Sequence, residues 1–306
     1  MATDYVLFVH GVKSRDSAAF TRRGLELLQQ VQGLVNDPHR DIKPIFLFWG
    51  DLNEKPQQNL VKGLEASPQW RNLWFPDFRT QDILEFAGDA ALYLSRHVGA
   101  QVVRRFQQMA LTPLQSADPE AGDCLHLVTH SLGTVILFDL LFAARWDDPR
   151  LAKDASTRDI SPIVGQIRNT LFGLGGQPQE GLPIASIHTL GSPIALFSLL
   201  AVAGESTHDL TADLRILLQN LYHQRGRQPL PWFNYMHPGD PIAYPLQGVL
   251  PTLVGNARLY VKVQDIITEH RGLPLMHNKL SLLWGGDAHN SYWNSKVVAR
   301  TFAQGL

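Results

Sequence analysis

Short, almost unbroken apolar runs recur along the chain at positions 5–9, 44–49, 124–129, 184–190, 232–236 and 258–263. Runs of that length with little polar alternation predict strands covered on both faces. Between them the spacing changes. Stretches 18–35, 82–111, 132–145, 210–224 and 292–303 read as helices, and in the second Ile83, Phe86, Ala87, Ala90 and Leu94 recur at helical intervals. Strand alternating with helix from end to end predicts an α/β fold, a mostly parallel sheet of about six strands flanked by helices.

Three segments fall outside this rhythm. Segment 51–78 is rich in Gln, Asn and Pro and holds Trp70, Trp74 and Phe75, 147–182 is polar, and 196–231 carries the basic stretch from His223 to Arg227. Long insertions in a compact fold are often functional, which makes 51–78 and 196–231 candidate lids. No linker composition divides the chain, so one domain over 1–306 is expected.

Composition narrows the function classes. With 44% hydrophobic and 18% charged residues the chain is globular, not disordered or fibrous. A net charge of −1 argues against a nucleic-acid binder relying on a broad basic face. The single cysteine, Cys124, excludes an intrachain disulfide framework and a zinc site built from several thiolates. Residues 1–4 lead straight into the first strand without a basic n-region, and the longest apolar stretch, 135–144, is interrupted by Asp139. Neither a leader nor a spanning helix is expected, and the compartment reads as cytoplasmic.

The chemistry concentrates at Leu127-Val128-Thr129-His130-Ser131-Leu132-Gly133. A strand ends at Thr129 and an apolar helix begins after Ser131, the context of a nucleophile elbow, in which a strained turn lifts a serine above the sheet edge. Gly133 lets the turn close; Thr129 stands where G-x-S-x-G has its first glycine. A serine nucleophile requires an oxyanion hole, a base and an acid. The first strand ends in His10-Gly11-Val12, so a backbone N–H of Gly11 or Val12, with that of Leu132, is the candidate hole, while His10 reads as structural. Asp240, fixed by Pro238, Gly239 and Pro241 after a late strand, is the favoured acid, with Asp265 and Asp287 as rivals. His289, in a Gly-rich loop before the last helix, is the favoured base over His270 and His277, and Ser131, Asp240, His289 is the chain order of an α/β-hydrolase triad. Such chemistry needs no cofactor. No H-E-x-x-H or similar spacing is present, so no metal is expected.

Four segments carry a more specific likeness: THSLGTVILFD at 129–139, LGSPIALF at 190–197, NYMHPGDPIAY at 234–244 and HNSYW at 289–293. Within the α/β-hydrolase superfamily they resemble the catalytic region of the DDHD-domain phospholipases. The resemblance implies a lipid or carboxylic-ester hydrolase acting through Ser131, Asp240 and His289, with a small-molecule or lipid ester as substrate and at most transient membrane contact. An acyltransferase or thioesterase using the same residues, and a non-catalytic protein keeping the fold, are the alternatives.

Overall fold

Strand β1 (Ala2–Val9) shows how an unbroken apolar run becomes a central strand. Successive side chains point to opposite faces, so Tyr5, Leu7 and Val9 join one buried core and Val6 and Phe8 join a second. The computed structural model describes residues 2–35, 37, 39–75, 77, 79–116, 120, 122–142, 144–171, 182–197, 218–223, 225–249, 259–268 and 288–306. Among them β1, β2 (Arg40–Leu47), β3 (Cys124–His130), β4 (Ile184–Leu190), β5 (Leu230–Met236) and β6 (Val261–Ile267) form one sheet in the order β2-β1-β3-β4-β5-β6, every pair parallel. This six-stranded parallel sheet flanked by helices is consistent with an α/β-hydrolase fold.

The strand order reverses once. The chain steps outward from β1 to β2, then crosses back past β1 to β3 and continues the other way. Helix α1 (Ser17–Gln32), between β1 and β2, covers the Val6 and Phe8 face through Phe20, Leu27, Leu28 and Val31. Helices α2 (Glu54–Glu65), α3 (Glu85–Leu94) and α4 (Arg96–Phe106) follow β2, and α4 covers the Tyr5 and Leu7 face through Val102, Val103 and Phe106. Crossovers of one hand running in opposite directions must pass over opposite faces. The C-terminal ends of β1 and β3 therefore send their chains apart, leaving the crevice in which open parallel sheets place ligands.

Helix α5 (Leu132–Phe142) begins one residue after β3 and is apolar almost all round, as a helix enclosed by the core requires. Helix α6 (Lys296–Ala303), capped by the Ser295 hydroxyl, closes the second face through Val298, Ala299 and Phe302.

Several boundaries differ from expectation. Strand β2 runs from Arg40 to Leu47 instead of 44–49, and as an edge strand it accommodates Pro44, which has no N–H to donate. Strand β6 occupies Val261–Ile267, not 258–263; it too is an edge strand, and its half-exposed residues give no continuous apolar run. The helix expected over 82–111 breaks at Ser95, whose ψ of 137° leaves the helical region and whose hydroxyl accepts from Val98 N to start α4. The helices expected at 18–35 and 132–145 end earlier, at Gln32 and Phe142, and α6 begins only at Lys296, after the tight turn Ser291–Asn294. Within segment 51–78, Glu54–Glu65 forms α2 and Trp70–Asn72 a short helical turn. Of the helix expected at 210–224 and the lid at 196–231, residues 198–217 and 224 lie outside the described residues. No described helix is long and apolar enough to cross a membrane.

Candidate active site

Strand β3 gives way to α5 across a single residue, Ser131, whose φ is 54°. A side chain in that left-handed region costs about 1–3 kcal/mol, so neighbours must impose it. They do so from two directions. The Ser131 N–H donates to the carbonyl of Leu190, the last residue of β4, at 2.9 Å, and its carbonyl accepts from Thr134 N at 3.0 Å. Gly133 allows the start of α5 to press against β1, since a Cβ there would lie 2.5 Å from Val9 O and 2.7 Å from His10 O. A Cβ on Gly11 would collide with Ser131 Cβ. These two glycines bring the loop after β1 against the serine. Thr129 needs no glycine's freedom; its hydroxyl shares a 3.0 Å hydrogen bond with that of Thr134.

That loop is oriented by His10, which is 1% exposed and stacked on Trp49 with ring centroids 5.0 Å apart. Trp49 N donates to His10 Nε2 at 2.9 Å, so the ring proton sits on Nδ1 and donates to Gly11 O at 2.6 Å. Burial pushes the His10 pKa down to about 4, keeping the ring neutral. In a trans peptide the C=O and N–H point in opposite directions. Pinning Gly11 O to the imidazole thus turns the Val12 N–H away from it. The Leu132 N–H opens α5 and belongs to the first helical turn, whose donors have no intrahelical partner.

Asp240 follows β5 in a turn closed by its own N–H on His237 O at 3.0 Å. Its Oδ1 accepts from Ile242 N at 3.1 Å, and its Oδ2 lies 2.8 Å from His289 Nδ1 and accepts from Tyr292 Oη at 2.7 Å. Burial raises the Asp240 pKa, but the hydrogen bonds from His289 and Tyr292 outweigh it and hold the carboxyl below its ordinary range. An ionised carboxylate accepts only, which places the His289 proton on Nδ1 and leaves Nε2 as a lone pair. Gly191, with φ of 58°, makes room for this group: a Cβ there would lie 2.7 Å from Asp240 Oδ2 and 3.0 Å from His289 Nδ1.

His130, immediately before the serine, reaches the base from the other side. Its Nε2 donates to the His289 carbonyl at 2.6 Å and the two rings lie 4.5 Å apart. Burial, and then the neighbouring His289, push the His130 pKa down to about 3. The structure thus brings Ser131, Asp240, His289, Gly11, Val12 and the start of α5 to the C-terminal edge of the sheet. The Ser131 hydroxyl and His289 Nε2 are both buried and, among the described residues, neither has a hydrogen-bond partner.

Asp265 is engaged elsewhere, accepting from Asn234 Nδ2, Leu246 N and Gln247 N. Asp287, His270 and His277 lie outside the described residues. Ligand atoms of Asp4, Cys124 and His126 fall within 4.8 Å of one another. All are already used: Arg40 donates twice to Asp4, at 2.6 Å each, and the Cys124 thiol, pushed up by burial to about 12, donates to Asp4 at 2.9 Å. Tyr292, His130 and Gly191 escaped the reading of the sequence. Tyr292 and Gly191 sit inside the segments HNSYW and LGSPIALF, but their roles depend on contacts between distant strand ends.

No protein-family model and no curated protein matches the chain. Among solved structures it is similar to the RedJ thioesterase of prodiginine biosynthesis in Streptomyces coelicolor, at 11% identity and a TM-score of 0.30 over 99% of this chain and 90% of that one. An acetyl xylan esterase matches at 9% identity and a TM-score of 0.28, over 100% and 99%. Overlaps this loose carry no weight for the chemistry, which rests on the site itself.

Proposed function

We propose that the protein is a serine hydrolase of carboxylic esters in which Ser131 is the nucleophile, His289 the general base and Asp240 the residue that orients it. The observation that carries this reading is a pair of buried atoms with no partner among the described residues, Ser131 Oγ and His289 Nε2. Buried polar atoms are nearly always bonded, and one left open at a functional site calls for an explanation. A substrate carbonyl entering between them supplies it.

In that mechanism Ser131 Oγ attacks the acyl carbon and its proton passes to His289 Nε2, the nitrogen left bare by the Asp240 contact. Asp240 stabilises the resulting imidazolium. The oxyanion meets the N–H groups of Leu132 and of Gly11 or Val12, each such donor being typically worth ~3–4 kcal/mol of barrier. His289 then returns its proton to the departing alkoxide. Water deprotonated at the same nitrogen attacks the acyl carbon, and His289 returns that proton to Ser131 Oγ as the carboxylic acid leaves.

The substrate class we infer is a lipid-like acyl ester, phospholipids among them, in keeping with the resemblance to the DDHD-domain phospholipases. Support comes from Trp74 and Phe75, which are 81% and 72% exposed. They belong to the segment that leaves the C-terminal end of β2, the same sheet edge as Ser131. Aromatic side chains held out in water suit transient contact with an acyl-chain surface.

The test is intact-mass detection of fluorophosphonate labelling in the unmodified protein and in Ser131→Ala, beside hydrolysis of nitrophenyl esters from acetyl to palmitoyl. Labelling and turnover both vanish in Ser131→Ala, with a rate loss on the order of 10⁴–10⁶-fold, and longer acyl chains are favoured. Labelling without hydrolysis would redirect the reading to acyl transfer. No labelling of the unmodified protein would remove it.

A further inference from the structure

We propose that Asp89, distant in sequence from the nucleophile, is a positioning residue for the oxyanion hole. The inference rests on the ester-hydrolase reading. Its evidence is the way the loop after β1 is held. Residues 10–16 join no strand ladder, and Lys13, directly after Val12, has a φ of 60° that costs a side-chain-bearing residue about 1–3 kcal/mol. Something outside the loop must fix it.

Asp89 lies on α3 and is fully buried, 0% exposed. Its carboxylate accepts five hydrogen bonds. Oδ2 takes Lys13 N at 2.9 Å and Arg15 Nη1 at 3.2 Å, and Oδ1 takes Arg15 Nη2 at 2.8 Å, Asn53 Nδ2 at 2.9 Å and Gln57 Nε2 at 2.7 Å. Three of the five come from the loop that presents Gly11 and Val12; the other two come from the segment after β2. Arg15 extends the same knot to Gly50 O at 3.2 Å and Gln57 Oε1 at 2.7 Å. A desolvated carboxylate is stable only while such donors surround it. The anion and the loop therefore hold each other, and the strained Lys13 N–H is one of the bonds.

His10 fixes the direction of one peptide in this loop. Asp89 fixes where the loop stands relative to Ser131. Because the donors of an oxyanion hole act only on the transition state, a loop released by a fraction of an ångström loses kcat and leaves substrate affinity alone.

The experiment compares Asp89→Asn with Asp4→Asn, whose carboxylate is held by Arg40 and Cys124 away from this loop and which serves as a control for lost stability alone. The carboxamide nitrogen of Asp89→Asn is a donor facing donors, so the knot opens. Expected for Asp89→Asn is a fall in kcat on a short-acyl nitrophenyl ester of about 10–100-fold with KM changed less than threefold. Affinity for an alkyl trifluoromethyl ketone, whose hemiketal oxyanion occupies the hole, falls in parallel. Amide exchange accelerates in residues 10–16. Asp4→Asn lowers the melting temperature and changes none of these. Unchanged kcat and ketone affinity in a folded Asp89→Asn protein that still labels at Ser131 overturns the inference alone. An unmodified protein that does not label at Ser131 overturns the hydrolase reading and this inference with it.

Discussion

Two polar assemblies built around histidines occupy this sheet, and one is closed where the other is open. The closed one crosses the face beneath α6. Its direction follows from its acidic end, because the ionised Asp4 accepts from His126 Nε2 at 3.2 Å. His126 Nδ1 must then accept from Ser186 Oγ at 2.7 Å, Ser186 Oγ from His188 Nε2 at 2.8 Å, and His188 Nδ1 from Tyr235 Oη at 2.9 Å. Phe302 seals it, its ring 5.5 Å from His126 and 4.3 Å from His188. The open assembly begins the same way, with Asp240 on His289 Nδ1 at 2.8 Å, but stops at Nε2. A chain of bonds that satisfies every atom stabilises a fold. One that leaves a buried nitrogen unbonded among the described residues, as the Ser131 hydroxyl also is, is open to a ligand.

The sharpest way to break this contrast is to neutralise the acid in each assembly. Asp240→Asn keeps the shape but favours the wrong His289 tautomer, and the loss expected is about 10⁴-fold in ester turnover, with stability little changed. Asp4→Asn leaves Arg40 and His126 without their anion and costs about 3–5 kcal/mol of stability, read as a lower denaturation midpoint. Turnover per folded molecule stays the same. A large turnover loss in Asp4→Asn would mean the closed ladder takes part in the chemistry.

Legibility in the sequence divides along the same line. The strand–serine–helix turn was readable because its parts are contiguous, and Asp240 and His289, nominated by their order along the chain, meet at 2.8 Å. The ladder was not, since Asp4, His126, Ser186, His188 and Tyr235 lie on four strands and meet only through register, such as His126 opposite Ser186 and Val128 opposite His188. Asp89 was invisible for the same reason, since its position on α3 says nothing about a loop some 75 residues earlier, Lys13 N being 76 positions away. Edge strands β2 and β6 were misplaced because one-sided cover gives a weaker apolar signal than β1 or β3.

A smaller effect per group comes from acid. Burial depresses the pKa of His10 to about 4 and His130 to about 3 from 6.5, and holds His188 well below it. Between pH 6.5 and those values the unfolded chain binds protons that the native state refuses, so stability is complete above the unfolded pKa and falls as the pH drops below it. His10 and His130 each account for about 2 kcal/mol by pH 5, at ~1.4 kcal/mol per unit, and His188 acts in the same direction. The Asp240 carboxyl, held below its ordinary range, adds nothing until the pH falls further still. Denaturant unfolding followed from pH 7.5 to 5 measures the slope. A flat profile would mean that these rings are not buried neutral, and the closed ladder would lose its direction.

The smallest effect sharpens the contrast at a single residue. Thr129 occupies the place of the first glycine of the elbow motif, yet it is fully buried and bonded to Thr134 at the first turn of α5. Close approach around the elbow is supplied instead by Gly11 and Gly133, and around Asp240 and His289 by Gly191. Thr129→Gly therefore removes a small buried side chain and one hydrogen bond, and adds a flexible residue to β3. The cost expected is about 1–2 kcal/mol of stability, with the rate of fluorophosphonate labelling at Ser131 unchanged. If labelling instead quickened, the threonine would be restraining the elbow, and the division between groups that hold the fold and groups that meet the substrate would run through Thr129 itself.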